Sequence, residues 1–434
     1  MDESIRNPPN AVAGGAEEAG AMSAVVIGAN TLAFAIGFAI WVIFGPSIRT
    51  IAKELAISQG TATWIKTLPV LIGSVMRIPV GIVTDRFGAK LTFPALLCIS
   101  AAALYGLSEA TSVTGLLLNA AVMGLIGTTF VVGVQSVSSW TPPARRGFAL
   151  GIFGAGNVGT ALTTLGLPLL LVSLGWRGSF RLCAAIAAVC ALIYALVIHD
   201  RARAAATLHA AALLAPLKNA RAWRFGFYYL ATFGVFVAAT LTINDVYVDG
   251  YHMPLKAAGM LATTFTATAS LCRIPGGRLA DRFGARVITR WALVGIGVTL
   301  TPVCVGLPLG LTVALIFAAG VSMGFGMAAV FRYIPDYFPG TVGAVGGVVG
   351  ALGGLGGFFL PQLGGVLRSS FHSPFVEALP LAAVAFLAAA LQHYAVGRIH
   401  RSTPPDAASL AALGSALGHN AAHTDTPAKT EVPR

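Results

Sequence analysis

The sequence predicts an all-α membrane protein of twelve transmembrane helices in two pseudo-symmetric six-helix halves, and three observations predict it. Of 434 residues, 56% are hydrophobic and 10% charged, against roughly 25% charged in an ordinary soluble protein. Apolar runs of about 20 residues, the length that crosses a roughly 30 Å hydrocarbon core, recur twelve times. Segments 196 residues apart repeat each other's wording.

The runs lie at roughly 24 to 44, 61 to 82, 91 to 110, 113 to 139, 147 to 172, 178 to 198, 225 to 248, 257 to 279, 287 to 306, 311 to 334, 341 to 366 and 376 to 397. Basic, Pro/Gly or polar clusters bound them. Residues 1–22 are polar and slightly acidic and lack the basic n-region of a cleavable signal peptide. They read as a cytoplasmic N-terminal tail, with the first span retained. An N-terminal bundle (23–198), a basic cytoplasmic linker (199–224) and a C-terminal bundle (225–397) follow, and 398–434 reads as a disordered cytoplasmic tail.

With both termini inside, the cytoplasmic segments carry sixteen Lys/Arg and the outer ones six. That bias sets the orientation of a multi-pass protein of the cell inner membrane. The net charge of +12 therefore reports topology, not nucleic-acid binding. All five cysteines fall inside apolar runs, which excludes an external disulfide framework and makes them small core residues. The eight histidines show no metal-ligand spacing, and no cofactor is implied.

The repeat is explicit. Arg77-Ile78-Pro79 through Thr84-Asp85-Arg86-Phe87-Gly88-Ala89-Lys90 at the end of span two matches Arg273-Ile274-Pro275 through Ala280-Asp281-Arg282-Phe283-Gly284-Ala285-Arg286 at the end of span eight. The same offset relates Gly147, Gly151 and Gly154 to Gly343, Gly347 and Gly350. Two parallel six-helix repeats with a Gly-x-x-x-Asp-Arg-Phe-Gly loop resemble the major facilitator superfamily. The resemblance implies that Asp85, Arg86, Asp281 and Arg282 bridge neighbouring helix ends on the cytoplasmic side as gate residues.

Arg77 lies eight residues inward of Asp85, about 12 Å at 1.5 Å per residue and so near the midplane. Arg273 sits at the equivalent depth. Each costs on the order of 2.5–3.5 kcal/mol at a helix centre, and no acidic residue lies at comparable depth in either half. Two central cations without a built-in counterion imply that the cargo is the counterion. The planar guanidinium fork suits a small oxyanion better than an ammonium does.

Spans five and eleven carry glycines at spacings of three and four, among them Gly154, Gly156, Gly159, Gly350, Gly353 and Gly356, which let helices approach and slide. Asn157 is a lone amide inside that stripe and needs a partner at its depth. Gly154-Ala155-Gly156-Asn157-Val158-Gly159, the stripe from Gly350 to Gly357, the two arginines and Tyr229-Leu230-Ala231-Thr232-Phe233-Gly234 together resemble the nitrate/nitrite porter family of that superfamily. By this resemblance Arg77 and Arg273 grip the anion, Asn157 and Tyr229 add hydrogen bonds, and Phe233, on the helix face of Tyr229, walls the plane. Phe130 of span four is a weaker candidate for a second wall. The implied partners are nitrate and nitrite, with protons if uptake is coupled to them, for a monomeric protein in the lipid bilayer.

Two enzyme-like strings are set aside. The Gly-x-Gly-x-x-Gly of 154–159 has no preceding strand, and Gly320-Val321-Ser322-Met323-Gly324 has no strand-to-helix turn; both lie inside spans. Coupling is constrained by the membrane potential, which opposes anion entry by about 2.3 kcal/mol per 100 mV. Either a proton enters with the anion or another anion leaves. Asp245, near the outer end of span seven, is the candidate proton site. Thr31-Leu32-Ala33-Phe34 and the 150–157 segment resemble the family's proton-coupled uptake branch more than its exchangers. A nitrate/nitrite exchanger, or a carrier of another small anion, is the alternative.

Overall fold

Inside a bilayer every backbone N–H and C=O has to be satisfied within the chain, which leaves helices as the solution for a sequence this apolar. The computed structural model describes residues 9–200 and 218–402, with side chains from Met22 onward except at 59, 60, 63, 245, 255, 256 and 396–402. No strand occurs among them. The tail at 403–434 and most of the linker, 201–217, lie outside the described residues. The chain divides into a unit ending at Ala389, which holds the site, and a short one from Ala390.

Among the described residues, nine helical stretches are long and apolar enough to cross a membrane: Met22–Glu54, Ala89–Glu109, Val113–Trp140, Pro143–Val197, Ala220–Asn244, Ala285–Val305, Leu309–Tyr337, Val342–Phe371 and Pro374–Ala395. Pro143–Val197 supplies two spans, because Gly175, at φ 64 and ψ 176, folds it between spans five and six. Span two is Trp64–Val75 with Arg77–Phe87, bent by 45°. Span eight is Leu255–Leu271 with Arg273–Phe283, whose charges keep its hydropathy low. Together these are the twelve spans. Leu169, Val172 and Trp291 are 73%, 91% and 69% exposed, as side chains turned to lipid are.

Two details depart from the sequence reading. The helix of span one starts at Pro9, inside the stretch read as a tail, where Ala and Glu favour helix over coil. Of the cysteines, Cys190 is buried but Cys98 is exposed, so they are not all core residues.

The breaks in spans two and eight have one cause. Pro79 and Pro275 lack an amide hydrogen, and their rings crowd the carbonyls four residues earlier, at Val75 and Leu271, where the first segments end. Arg77 and Arg273 therefore each open a new helical segment. That segment then crosses the opposite half at bare backbone. Span two meets span eleven at Gly81 and Gly343, and span eight meets span five at Gly277 and Gly147, where an added methyl would strike the facing main chain.

Candidate functional site

Both arginines are buried, each 1% exposed. Arg77 donates Nε to the Gly127 carbonyl at 3.1 Å and Nη1 to the Gly350 carbonyl of span eleven at 2.6 Å. Its guanidinium carbon lies 5.4 Å from the Trp41 ring, 5.9 Å from Phe130 and 5.5 Å from Phe233. Arg273 reaches the other way, to span five. A Cβ on Gly154 would sit 2.7 Å from its Nη2, so only glycine leaves it room. Gly350 does the same for Arg77, whose Cδ would be 3.0 Å from a methyl there. The 196-residue repeat is thus also a repeat of contacts, each arginine crossing from its own half to a glycine of the other.

The partners are unequal. Arg273 has Met327 Sδ at 3.8 Å from Nη1, while its Nε has no hydrogen-bond partner among the described residues. Its guanidinium carbon lies 5.3 Å from the Phe130 ring. Phe130 therefore stands over both cations, and the two guanidiniums and the Tyr229 hydroxyl are within electrostatic reach of one another. Like charges this close in a low-dielectric interior repel, which an anion would offset.

Three rings lie near parallel. Tyr229 and Phe233 are stacked at 5.0 Å and 8°, and Phe130 is stacked on both at 6.1 Å and 6.5 Å, within 8° and 2° of parallel. A flat anion layered between two rings takes about 7 Å at van der Waals spacing, more than these separations, so the rings have to part to admit one. Phe331 closes one edge, near perpendicular to Phe130 and to Tyr229. Gly353 lies under Tyr229 and Phe233, Gly356 against Gly234, and Gly156 and Gly159 against span one.

Three of the segments at the site leave α-geometry there. Gly127 and Asn157 lie in the 3-10 segments Leu125–Thr128 and Ala155–Val158, and Phe233 lies in the π segment Leu230–Gly234. Such departures cluster at functional sites. Asn157 is fully buried, and both its amide atoms lack a hydrogen-bond partner among the described residues.

At the end marked by the duplicated loops, the aspartates do the bridging. Asp85 accepts from the Gly343 and Ala344 amides at 3.0 and 2.7 Å, and Asp281 from Gly147 and Phe148 at 2.9 and 2.8 Å. Each carboxylate caps the first turn of a helix in the opposite half, where the helix dipole favours a negative charge. No such bridge from Arg86 or Arg282 occurs among the described residues. They are exposed and stack on Phe87 and Phe283, each at 5.2 Å. Arg332 of span ten instead pairs with Asp281 at 2.7 Å and donates to the Pro143 carbonyl at 2.8 Å. Asp245 ends the helix Val235–Asp245, and its side chain lies outside the described residues.

Sequence reasoning missed Trp41, Phe331 and Arg332. None of the three carries a signal in the sequence, where Arg332 is one of the sixteen cytoplasmic basic residues.

A twelve-span bundle whose halves exchange arginines across a buried core is the build of a major facilitator transporter, not of an enzyme. A family model described as Major Facilitator Superfamily matches residues 30–258 and 228–422. Two solved structures share the fold: the human organic anion transporter MFSD10, at TM-score 0.70 and 14% identity over 85% of this chain and 99% of that one, and the fucose:proton symporter FucP of E. coli, at 0.68 and 17% over 85% and 98%. The probable nitrate/nitrite antiporter NarK1 of Thermus thermophilus is 38% identical over 83% of this chain and 90% of its own. The nitrite extrusion protein of Bacillus subtilis is 30% identical over 77% and 85%, and the probable nitrate transporter NarT of Staphylococcus epidermidis 31% over 76% and 86%. The chain belongs to the nitrate/nitrite porter family of the major facilitator superfamily.

Proposed function

We propose that the protein carries nitrate or nitrite across the cell inner membrane by alternating access, as a monomer with both termini in the cytoplasm. One observation carries the reading. Two buried guanidiniums, one from each half, meet at the Phe130 ring, next to the near-parallel rings of Tyr229 and Phe233, and the Arg273 Nε has no hydrogen-bond partner among the described residues. A flat monovalent oxyanion accepts hydrogen bonds in its plane and presents its faces to the rings. The names of the three relatives support the same cargo. On this reading, Asp85 and Asp281 hold the cytoplasmic side closed and release when the carrier opens inward.

For the coupling, the wording of spans one and five supports proton-coupled nitrate uptake. A second reading, exchange of nitrate for nitrite, is favoured by the Thermus relative's printed name and by the chemistry of the core, where two cations resist reorientation unless an anion accompanies them in each direction. Uptake of labelled nitrate into proteoliposomes tests the cargo, with nitrite, chlorate and formate as competitors. Nitrate uptake blocked by excess nitrite supports it, and uptake indifferent to both overturns it. An acid-outside gradient that drives accumulation without internal nitrite supports symport. Accumulation only against trapped nitrite, indifferent to the gradient, selects exchange.

A further inference from the structure

We infer that Thr160 is a further anion contact, the donor that an oxyanion entering from the outer side meets on span five before Asn157 and the two arginines take it; this rests on the cargo reading above. Phe153, Asn157, Thr160 and Thr164 follow one another at spacings of four, three and four, which places them on one face of the helix. Phe153 fixes where that face looks. Its ring stacks on Phe130 at 5.6 Å and 20°, and Phe130 is the ring that both guanidiniums approach. Span five starts at the end where Asp281 caps Gly147, so the face passes the arginines and runs on toward the opposite end.

Exposure rises along it. Asn157 is fully buried, Thr160 is 8% exposed, and Thr164 is exposed. At 1.5 Å per residue the step from Asn157 to Thr164 covers about 10 Å, most of the outer half of a roughly 30 Å core. Lipid does not account for that opening. The lipid-facing stripe of this helix is Leu162, Leu165 and Leu169, and the side turned to span one is marked by Thr163, whose hydroxyl donates to the Ala39 carbonyl at 2.8 Å. Thr164 stands about 100° around the helix from both Thr163 and Leu165, on the side of Asn157.

The Thr160 hydroxyl is set apart from its neighbours. Thr163 and Thr164 donate back to the carbonyls four residues earlier, at Gly159 and Thr160, which satisfies a hydroxyl inside a helix. For Thr160 that carbonyl is Gly156, which lies in the 3-10 segment Ala155–Val158 and accepts from the Gly159 amide. Thr160 Oγ1 has no hydrogen-bond partner among the described residues, and neither do the two amide atoms of Asn157 one turn away. Buried polar groups left unmade are costly, and beside two cations the acceptor that meets both donors is an anion. The repeat does not duplicate the arrangement. The positions 196 residues on are Gly353, Gly356 and Leu360, with Gly353 under Tyr229 and Gly356 against Gly234, so the donors of this approach come from span five alone.

The test is nitrate–nitrate exchange by the full chain in proteoliposomes of one orientation, with nitrate varied on one side against saturating nitrate on the other. Thr160→Val keeps the shape and removes the hydroxyl. It is expected to raise the outer half-saturation about tenfold, the low end for a hydrogen bond to a charged acceptor, with the inner value unchanged and the anion-free melting temperature not lowered. Thr160→Ser is expected to bring the outer value back. Wild-type half-saturation on both sides in Thr160→Val overturns the inference, as does an equal rise on the two sides, which moves Thr160 into the arginine site itself. A lowered melting temperature and an outer value that Thr160→Ser does not restore assign the residue to packing and overturn it too. If the wild type exchanges neither nitrate nor nitrite, the cargo reading fails and the inference with it; wild-type exchange with an unaltered Thr160→Val removes the inference alone.

Discussion

Replacing Asn157 by alanine is expected to move stability and affinity in opposite directions. The amide is fully buried in the 3-10 segment Ala155–Val158, and neither Nδ2 nor Oδ1 has a hydrogen-bond partner among the described residues. Each buried polar atom left unmade costs about 1–3 kcal/mol. Alanine relieves both, and the packing lost with three heavy atoms takes back part of that gain. The anion-free variant should therefore melt at or above the wild-type temperature. Binding should suffer, because a hydrogen bond from Nδ2 to a charged acceptor contributes about 1.5–3 kcal/mol, or about 10- to 150-fold in Kd. Thermal unfolding in detergent without anion, paired with a nitrate titration of the same samples, measures both. A lowered melting temperature with an unchanged Kd would refute the reasoning and make Asn157 a packing residue.

The two arginines should separate when each becomes lysine. Both variants are expected to weaken nitrate binding at least tenfold in a titration, since the bidentate fork is lost, but only Arg77→Lys, which also forfeits the bond to the Gly127 carbonyl, should lower the melting temperature; wild-type affinity in either would sink the paired-grip reading. Asp85→Asn and Asp281→Asn each replace a two-oxygen acceptor by one oxygen and an amide NH2, a donor facing the helix N–H groups. Alkylation of a cysteine introduced on the cytoplasmic side should speed up in both, and more in Asp281→Asn, which also loses Arg332. Equal labelling in wild type and variants would confine the loops to a topological role. Gly154→Ala puts a methyl where the Arg273 guanidinium lies and should abolish uptake in proteoliposomes without reducing membrane insertion; normal uptake would mean that Arg273 has another seat.

Much of this was open to reading because charge in a membrane is conspicuous. Arg77 and Arg273 stand out as costly residues at one depth, and the 196-residue offset marks the aspartates and glycines that turn out to touch across the halves. What the offset does not carry is the way the halves meet. Phe130 faces Phe233 only through that meeting, and Trp41 and Phe331 are rings among 24 phenylalanines and six tryptophans with no pattern to single them out. Arg332 lies near a span end, where charges are common, and only its bonds to Asp281 and to the Pro143 carbonyl distinguish it. The breaks at Met76 and Cys272 were foreshadowed by Pro79 and Pro275, yet a continuous apolar run gives no measure of the bend.

Those breaks make levers of two short helices. Arg77–Phe87 and Arg273–Phe283 are eleven residues each, stiff rods about 16 Å long with a jointed end at the paired arginines and a far end that carries the capping aspartate. A rod transmits rotation where a flexible strand would absorb it. A guanidinium drawn sideways would pivot its rod at the proline-made joint, and the displacement would emerge at the first turn of a helix in the opposite half. Both rods obey the same geometry, so on the proposed cargo reading one ion would turn two levers whose far ends bear on opposite halves.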